Sequence, residues 1–411
     1  MLARNLLFLA LLGSATLLPA EPLTFDAALK LAERESPDLA AQGAGIESAR
    51  AAARAAGALP DPRLALGVDN LPVTGPDRWS LNRDFMTMRK VGLMQEFPNA
   101  GRRRASVDEA DAMIAQAEAE RRVHIAAVRS SAAVAWINVR YAELRVALLG
   151  ELHGENDLLA GQVQSQLLAN RGAATDAVLP GQEAADLADR LDEGRAELAK
   201  ARAALRRLLG PTGDDPLSGE SADLTADAPQ LRLHVHAHPE LVAFGPMIAG
   251  AQAKIHAAEA AARPDWGVEL AYAQRAALYS DMVSLQFTVA LPVFRGSRQD
   301  PLIDASHRAL QRLEAERAAM LRDHTETLDA QLAELESMNN RLDRATTQRL
   351  PLAQQKVQLA LAGYQSNRGD LASVLAARRD WIDTRLAELQ LRNQRDALAA
   401  TLHYTYEEAA P

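Results

Sequence analysis

The chain has 411 residues, a formal net charge of −9 and an aromatic content of only 4%. The absence of cysteine excludes disulfide bonds, thiolate metal sites and lipid attachment to a cysteine. The negative charge, and the lack of any basic block longer than Arg102-Arg103-Arg104, argue against nucleic acid as a partner.

The first 20 residues have the pattern of an export signal. Arg4 precedes an apolar run from Leu6 to Leu18, which is too short to cross a bilayer as a helix. We therefore predict a signal peptide over residues 1–20, with cleavage near Ala20. No other apolar run reaches about 18 residues, so no transmembrane helix is predicted in the mature chain.

A first repeat is predicted over residues 21–210. Its opening helices are followed by a region, 61–97, in which apolar and polar residues alternate in two runs. The apolar positions are Leu64, Leu66 and Val68 in the first run and Val91, Leu93 and Phe97 in the second. This period of two predicts a β-hairpin. A long helix over 102–169 and a return helix over 176–209 complete the repeat.

A second repeat, over 238–411, has the same order of elements. It follows an inter-repeat segment, 211–237, whose Gly, Pro, Asp and Ser residues predict irregular structure. Its predicted elements are a hairpin at 264–294, a long helix at 297–366 and a return helix at 371–402. Asn170-Arg171-Gly172 recurs as Asn367-Arg368-Gly369, with the glycines 197 residues apart. The duplication predicts two similar units within one fold.

The two long helices are also predicted to be interrupted at corresponding places. Gly154 lies in the first helix and Pro351 in the second, again 197 residues apart. A proline inside a helix removes a backbone hydrogen bond and clashes with the preceding turn. We therefore expect Pro351 to kink or interrupt its helix.

The hairpin regions are unusual in composition, because 60–98 and 264–294 hold 8 of the 17 aromatic residues. Strands with one apolar, aromatic face and one polar face fit the lipid-facing wall of a barrel, although a half-buried soluble hairpin has the same pattern. Four strands cannot close a membrane barrel, because an open edge leaves backbone groups unpaired in lipid. Two copies would supply 8 strands and three copies 12, with the helices continuing as a tube.

Four segments of the chain carry a resemblance to a known family: Met86 to Pro98 followed by Gly101-Arg102-Arg103, Ser36-Pro37-Asp38-Leu39, Leu59-Pro60-Asp61-Pro62, and Tyr364 to Leu375. They resemble the TolC-like outer-membrane efflux channels, also called outer membrane factors. The first segment is most similar to the branch that serves heavy-metal pumps of the resistance-nodulation-division class. The resemblance covers essentially the whole mature chain.

The resemblance implies a mainly α fold with a small β part. Antiparallel coiled-coil helices would form a periplasmic tunnel, and four strands per chain would join a 12-stranded barrel in a homotrimer. It further implies a passive duct in the cell outer membrane, in contact with outer-membrane lipid. A periplasmic adaptor and an inner-membrane proton-driven pump would be its partners, and no cofactor or catalytic residue is expected.

The family closes its channel at the two helix turns, and this implies a set of gate residues. Tyr364 matches a tyrosine that ties the closed tip, and Gly172 and Gly369 match the turn glycines. The family's channel-narrowing carboxylates fall near Ser373 and Ala376, which carry no charge. Asp370, or Asp176 in the other repeat, could supply an acidic ring instead, which would favour cations.

Two groups of residues could bind a metal ion. In an extended segment, the imidazoles of His234, His236 and His238 would share one side and could hold zinc or copper. The alternatives are surface histidines in a loop, or a helix-entry role for His238. Met86, Met88 and Met94 share strand parity, so they could offer thioethers to a soft metal or simply fill one barrel face.

The function predicted from these features is a passive exit duct of a tripartite efflux system, with heavy-metal cations as the expected substrate. A periplasmic adaptor or helical scaffold without a barrel is the main alternative. A secreted metal-dependent enzyme built on the histidine array is a third. Trp136 and Trp381 lie within predicted helices and are expected to be packing residues.

Overall fold

The computed structural model describes residues 22–169, 174–219, 224–366 and 368–407. The predicted signal peptide at 1–20 lies outside the described residues, as do Gly172 and Asn367. The described chain is mainly helical and contains a four-stranded antiparallel sheet. Among these residues, we find no helix with the length and apolar character needed to cross a membrane.

The elements occur in the same order in both halves of the chain. The first half contains α1 (Phe25–Glu35), α2 (Pro37–Ala53), β1 (Arg63–Asp69), β2 (Met88–Phe97), α3 (Ala100–Leu168) and α4 (Leu179–Leu209). The second half contains α5 (Ala228–His234), α6 (Pro239–Ala260), β3 (Trp266–Gln274), β4 (Met282–Val289), α7 (Arg295–Arg344), α8 (Leu350–Gln365) and α9 (Leu371–Leu402). Each half therefore has two helices, a hairpin, a long helical stretch and a return helix.

Local sequence explains several of the helix boundaries. Thr24 caps α1, because its hydroxyl accepts a hydrogen bond from Ala27 N at 3.2 Å. The dipeptide Ser36-Pro37 separates α1 from α2, since a residue before proline is disfavoured in the helical region. Gly210 ends α4 with a φ of 67°, a backbone conformation that glycine adopts without steric cost.

The two hairpins join into one sheet with the strand order β1-β2-β3-β4. All neighbouring strands are antiparallel, and β2 pairs with β3 across the boundary between the halves. The pairing register places Leu64 opposite Leu93, Leu93 opposite Leu270, and Leu270 opposite Leu285. The two halves of the chain therefore build a single structure at the strands.

The chain divides into two compact units, each drawing on both halves. One unit comprises the described residues up to Ser36 together with Val128–Ala226 and Ala333–His403. Its core contains the buried residues Trp136, Leu149, Leu152, Leu187, Ile382 and Leu402. The other comprises Pro37–Ala127, Asp227–Leu332 and the described residues from Tyr404, and includes the sheet.

Of three expectations about helical and irregular segments, the interruption near Pro351 is confirmed and the other two differ from the structure. Gly154 does not interrupt α3, because one glycine inside a helix costs only about 1 kcal/mol. Near Pro351, a π-helical turn at Ala345–Arg349 separates α7 from α8, so the predicted interruption is present there. The segment 211–237 is not wholly irregular, since it contains α5 and 3₁₀ turns at Gly210–Asp214 and Val235–Ala237.

Candidate functional site: a two-faced sheet and the helix turns

One face of the sheet carries large apolar side chains in rows that cross all four strands. The register aligns Leu64, Leu93, Leu270 and Leu285 in one row, and Leu66, Val91, Tyr272 and Val283 in the next. The four leucines of the first row are 53–65% exposed in the single chain. A contiguous apolar surface of this kind marks a site of contact with lipid or protein.

The opposite face is built mainly from small, polar and charged residues, with Met88, Met94 and Met282 among them. One of its rows consists of Ala65, Gly92, Ala271 and Ser284. Lys90 Nζ lies 2.8 Å from Glu269 Oε1 on this face. A Cβ at Gly92 would come within 2.9 Å of the same Oε1 atom, so glycine makes room for this ion pair. The alternation predicted from the sequence therefore separates an apolar face from a polar one.

Aromatic side chains lie at both ends of the sheet. Phe97 and Trp266 stack with ring centroids 4.2 Å apart where β2 and β3 meet the helices. Phe85 and Tyr279 approach to 6.4 Å in the loops at the other end. Aromatic rings concentrate at the water interfaces of membrane-spanning structures, because they combine an apolar body with a polar edge.

The outer edges of β1 and β4 are the open sides of the sheet. Within the part of the chain that the structure describes, no strand pairs with either edge. An open edge presents a row of unpaired N–H and C=O groups, which lipid cannot satisfy. The sheet is therefore suited to pairing with another chain along both edges.

The junction between the hairpins and α3 depends on a residue pair that sequence analysis assigned no role. The Asn99 backbone N–H donates to Asp265 Oδ1 at 2.7 Å, and the Asn99 side chain donates to Ala260 O at 2.9 Å. Burial alone would raise the pKa of Asp265, but the Asn99 N–H and Arg102 hold it below its usual value. The sequence signal that could have pointed to Asp265 is the recurrence of Leu59-Pro60-Asp61 as Arg263-Pro264-Asp265.

Tyr364 lies near the end of α8 and packs against a cluster of buried residues from α3 and α9. The buried members of this cluster are Leu159, Val163, Leu371, Val374 and Leu375. Among the described residues, the Tyr364 hydroxyl has no hydrogen-bond partner although it is buried. Burial, and then the negative charge of Asp176, raise the pKa of Tyr364. The fold thus places two of the predicted gate residues, from different halves, within electrostatic reach of each other.

Asp370 and Gly369 form the turn between α8 and α9. Asp370 caps α9 by accepting a hydrogen bond from Ser373 N at 2.7 Å, and bonds from the Ser373 hydroxyl and N–H lower the pKa of Asp370. Gly369 N donates to Gly363 O at 3.1 Å. A Cβ at Gly369 would lie 3.3 Å from the backbone of Gly363. The φ angle of Gly369 is not positive. Close backbone approach, not a left-handed conformation, is the steric reason for glycine there.

The histidine array has a different geometry from the extended segment that the sequence suggested. His234 ends α5 and His236 lies in the following 3₁₀ turn, so the three imidazoles do not alternate along a strand. His238 caps α6, since its Nδ1 accepts from Glu240 N at 3.2 Å. Its ring lies 3.8 Å from that of His324 in α7. Burial, and then His324, lower the pKa of His238 to about 4.

The methionines cannot share one metal ion. Met88 and Met94 lie on the same face of β2, as their parity predicted. They are six residues apart on an extended strand, which separates their Cα atoms by roughly 20 Å at about 3.3 Å per residue. Met86 precedes the strand and is exposed. A joint thioether site is therefore excluded, whereas a role in filling one face of the sheet fits Met88 and Met94.

No family model matches the chain, and no curated protein matches it by sequence. Solved structures do match over nearly the whole chain. A CusC structure concerned with transmembrane channel formation has a TM-score of 0.79 at 20% identity, covering 92% of this chain and 91% of that chain. The outer membrane protein VceC of Vibrio cholerae has a TM-score of 0.75 at 19% identity, covering 93% and 95%.

A third match is the open state of the Neisseria gonorrhoeae MtrE outer membrane channel, with a TM-score of 0.73 at 16% identity over 94% of this chain and 88% of that chain. These matches span the helices and the sheet alike, because they leave less than a tenth of this chain uncovered. The chain therefore has the fold of the outer membrane protein VceC and of the MtrE outer membrane channel, as the resemblance predicted.

Proposed function

We propose that the chain is a passive exit duct of the outer membrane, assembled from three copies. Each copy contributes four strands to a 12-stranded barrel, and the helices form a tunnel on the periplasmic side. The periplasmic partners are an adaptor protein and an inner-membrane proton-driven pump, which supplies the energy. Heavy-metal cations are the proposed substrate, and the similarity of Met86–Pro98 to the heavy-metal branch supports that choice.

The observation that carries this proposal is the two-faced sheet with two open edges. β2 has 10 residues and β3 has 9. A tilted strand of about 9–11 residues is long enough to cross the apolar core of a bilayer. Closure with copies of the same sheet pairs every edge and turns Lys90, Glu269 and the small residues toward the lumen.

A soluble scaffold or adaptor does not fit these features equally well. It would have to leave rows of leucine in water and two strand edges unpaired. Contact with acyl chains removes the first problem, and joining edge to edge removes the second. A single copy in water satisfies neither its apolar face nor its strand edges, so the proposed duct requires several copies in a membrane.

Single cysteines on adjacent residues of β4 test which face meets lipid. The natural chain has no cysteine, and Leu285 and Ser284 point to opposite faces of the sheet. In outer membranes, we expect a charged maleimide to label Ser284→Cys readily and Leu285→Cys hardly at all. The measurement is the labelled fraction over time, by mass shift on a denaturing gel.

Denaturation in detergent provides the control, because both cysteines should then react at the same rate. Equal labelling of the two variants in intact membranes would contradict the proposed lipid-facing surface. Labelling of both only after denaturation would instead indicate a buried sheet, and would also contradict the duct.

The helix turns are the proposed gate, with Tyr364, Gly369, Asp370 and Asp176 as its residues. Tyr364→Phe together with Asp370→Asn should raise the single-channel conductance of the purified protein in planar bilayers. Asparagine is preferred to alanine at position 370, because it caps a helix about as well as aspartate does. The double variant therefore removes a hydroxyl and a charge while keeping the start of α9.

Asp192→Asn is a matched control, since it removes one carboxylate from an exposed position of α4. We expect its conductance to equal that of the natural protein. If the double variant also conducts as the natural protein does, Tyr364 and Asp370 do not close the channel. The duct itself would still be supported by the cysteine labelling.

A further inference from the structure

Three side chains that offer metal ligands converge where α6 begins, outside the sheet and the helix turns. One nitrogen each of His238 and His324 and one carboxylate oxygen of Glu240 all lie within 4.8 Å of one another. His324 Nε2 is 3.0 Å from Glu240 Oε2. All three residues belong to the same compact unit.

The donor set selects a particular class of cation. Two imidazole nitrogens with one carboxylate oxygen suit a borderline divalent ion such as Zn²⁺, whereas Ca²⁺ and Mg²⁺ prefer oxygen ligands throughout. Three protein ligands leave a fourth tetrahedral position for water. The absence of cysteine from the chain removes thiolates as competing ligands for the same ion.

The three ligand side chains lie so close together that they need to move apart only slightly to hold a zinc ion. Zinc bonds of about 2.0–2.2 Å at a tetrahedral angle separate a nitrogen and an oxygen ligand by roughly 3.4 Å. The present separation of His324 Nε2 and Glu240 Oε2 is 3.0 Å. Two imidazoles on one zinc ion would have centroids roughly 5 Å apart by the same geometry, compared with 3.8 Å here. The rings must therefore move apart by about 1 Å.

The burial of the three residues fits such a movement. His238 is 6% exposed and lies at the start of α6, so its ring is the least mobile of the three ligands. A neutral imidazole has only one unprotonated nitrogen, so binding the ion requires His238 to give up the hydrogen bond that its Nδ1 accepts from Glu240 N. The Glu240 side chain is 44% exposed and the His324 side chain 15%, which leaves one side of the cluster open to solvent. An ion can reach the site from that side, and Tyr406, 2% exposed, closes another part of it.

We propose that His238, Glu240 and His324 form a Zn²⁺-type binding site that links the start of α6 to the middle of α7. These helices flank the hairpin of β3 and β4 along the chain. The site does not depend on the proposed duct function, because its ligands and geometry are complete within one chain. The sequence array of three histidines contributes only His238 to it.

Zinc binding to the full chain tests this site. The purified protein in detergent is stripped with a chelator, and Zn²⁺ is titrated against a chromophoric competitor. We expect about one Zn²⁺ per chain in the natural protein. His324→Gln and Glu240→Gln should each weaken binding by about 100-fold or more, since even changes to groups behind the ligands typically cost 10–100-fold. Zinc-edge X-ray absorption should show two imidazole ligands.

His256→Gln is the matched control, because His256 Nδ1 faces Glu259 Oε2 at 3.6 Å as an exposed histidine–carboxylate pair. We expect its zinc affinity to be unchanged, and Ca²⁺ should not compete in any variant. Equal affinity of His324→Gln and the natural protein, or loss of binding in His256→Gln, would overturn the proposal. Glu240→Gln changes a partly exposed side chain, so it gives a second reading if His324→Gln fails to fold.

Discussion

Replacing Leu285 with arginine should remove the protein from the outer membrane. Leu285 stands in the row of four leucines that crosses the sheet, on the face that we propose meets lipid. An arginine on the lipid face of a barrel costs about 2–4 kcal/mol at the midplane of the bilayer. Three copies would each carry this cost, so we expect a loss of more than tenfold in protein retained by carbonate-washed outer membranes.

Ser284→Arg is the control for this variant, because it places the same charge one residue away on the opposite face. We expect it to remain in washed outer membranes in nearly the natural amount, with a conductance lowered by the bulk of three arginines. Both variants should be expressed equally in total extract. If Ser284→Arg is lost as fully as Leu285→Arg, the two faces do not differ in their surroundings.

The strands and long helices were predictable because their signals are local. Leu64, Leu66 and Val68 are apolar at every second position, and β1 spans them. The return helix expected at 371–402 corresponds to α9 at Leu371–Leu402, whose beginning is marked by the capping residue Asp370. Such features depend on residues within a few positions of one another.

The contacts of the candidate sites could not be predicted in the same way. His238 meets His324, which is 86 residues further along the chain and has no unusual spacing relative to it. The approach of Asp176 to Tyr364 joins the two halves and depends on how α4 and α8 pack. Neither pairing has a periodic signal, because each is set by tertiary packing.

The steric reason for glycine at particular positions could not be predicted from the sequence either. Gly154 and Gly369 both drew attention by their place in the duplicated sequence, yet Gly154 has open space around its missing Cβ and Gly369 does not. The sequence records that a residue is glycine, whereas the neighbouring backbone decides what glycine is needed for. Gly92 is a further case, because a side chain there would collide with Glu269, which forms an ion pair with Lys90 on the adjoining strand.

Replacing Trp136 with alanine should cause the largest loss of stability among single core changes. Trp136 has no exposed surface, meets the Phe25 ring edge-on at 5.4 Å, and donates from Nε1 to Leu23 O at 3.3 Å. Truncation of a buried tryptophan typically costs about 3–5 kcal/mol, through lost burial and the cavity that remains. We expect the midpoint of thermal unfolding, followed by circular dichroism, to fall by roughly 5–15 °C.

Two comparisons show whether this loss comes from packing. Trp136→Phe keeps most of the buried volume, and Leu23 O keeps its bond from Ser218 N, so its loss should be much smaller. Trp381→Ala removes a half-buried ring beside Leu149 and Ile382 and should also cost less, because water already reaches part of it. A drop for Trp136→Ala no larger than that for Trp381→Ala would contradict this account, since complete burial is the only reason to expect a difference of that size.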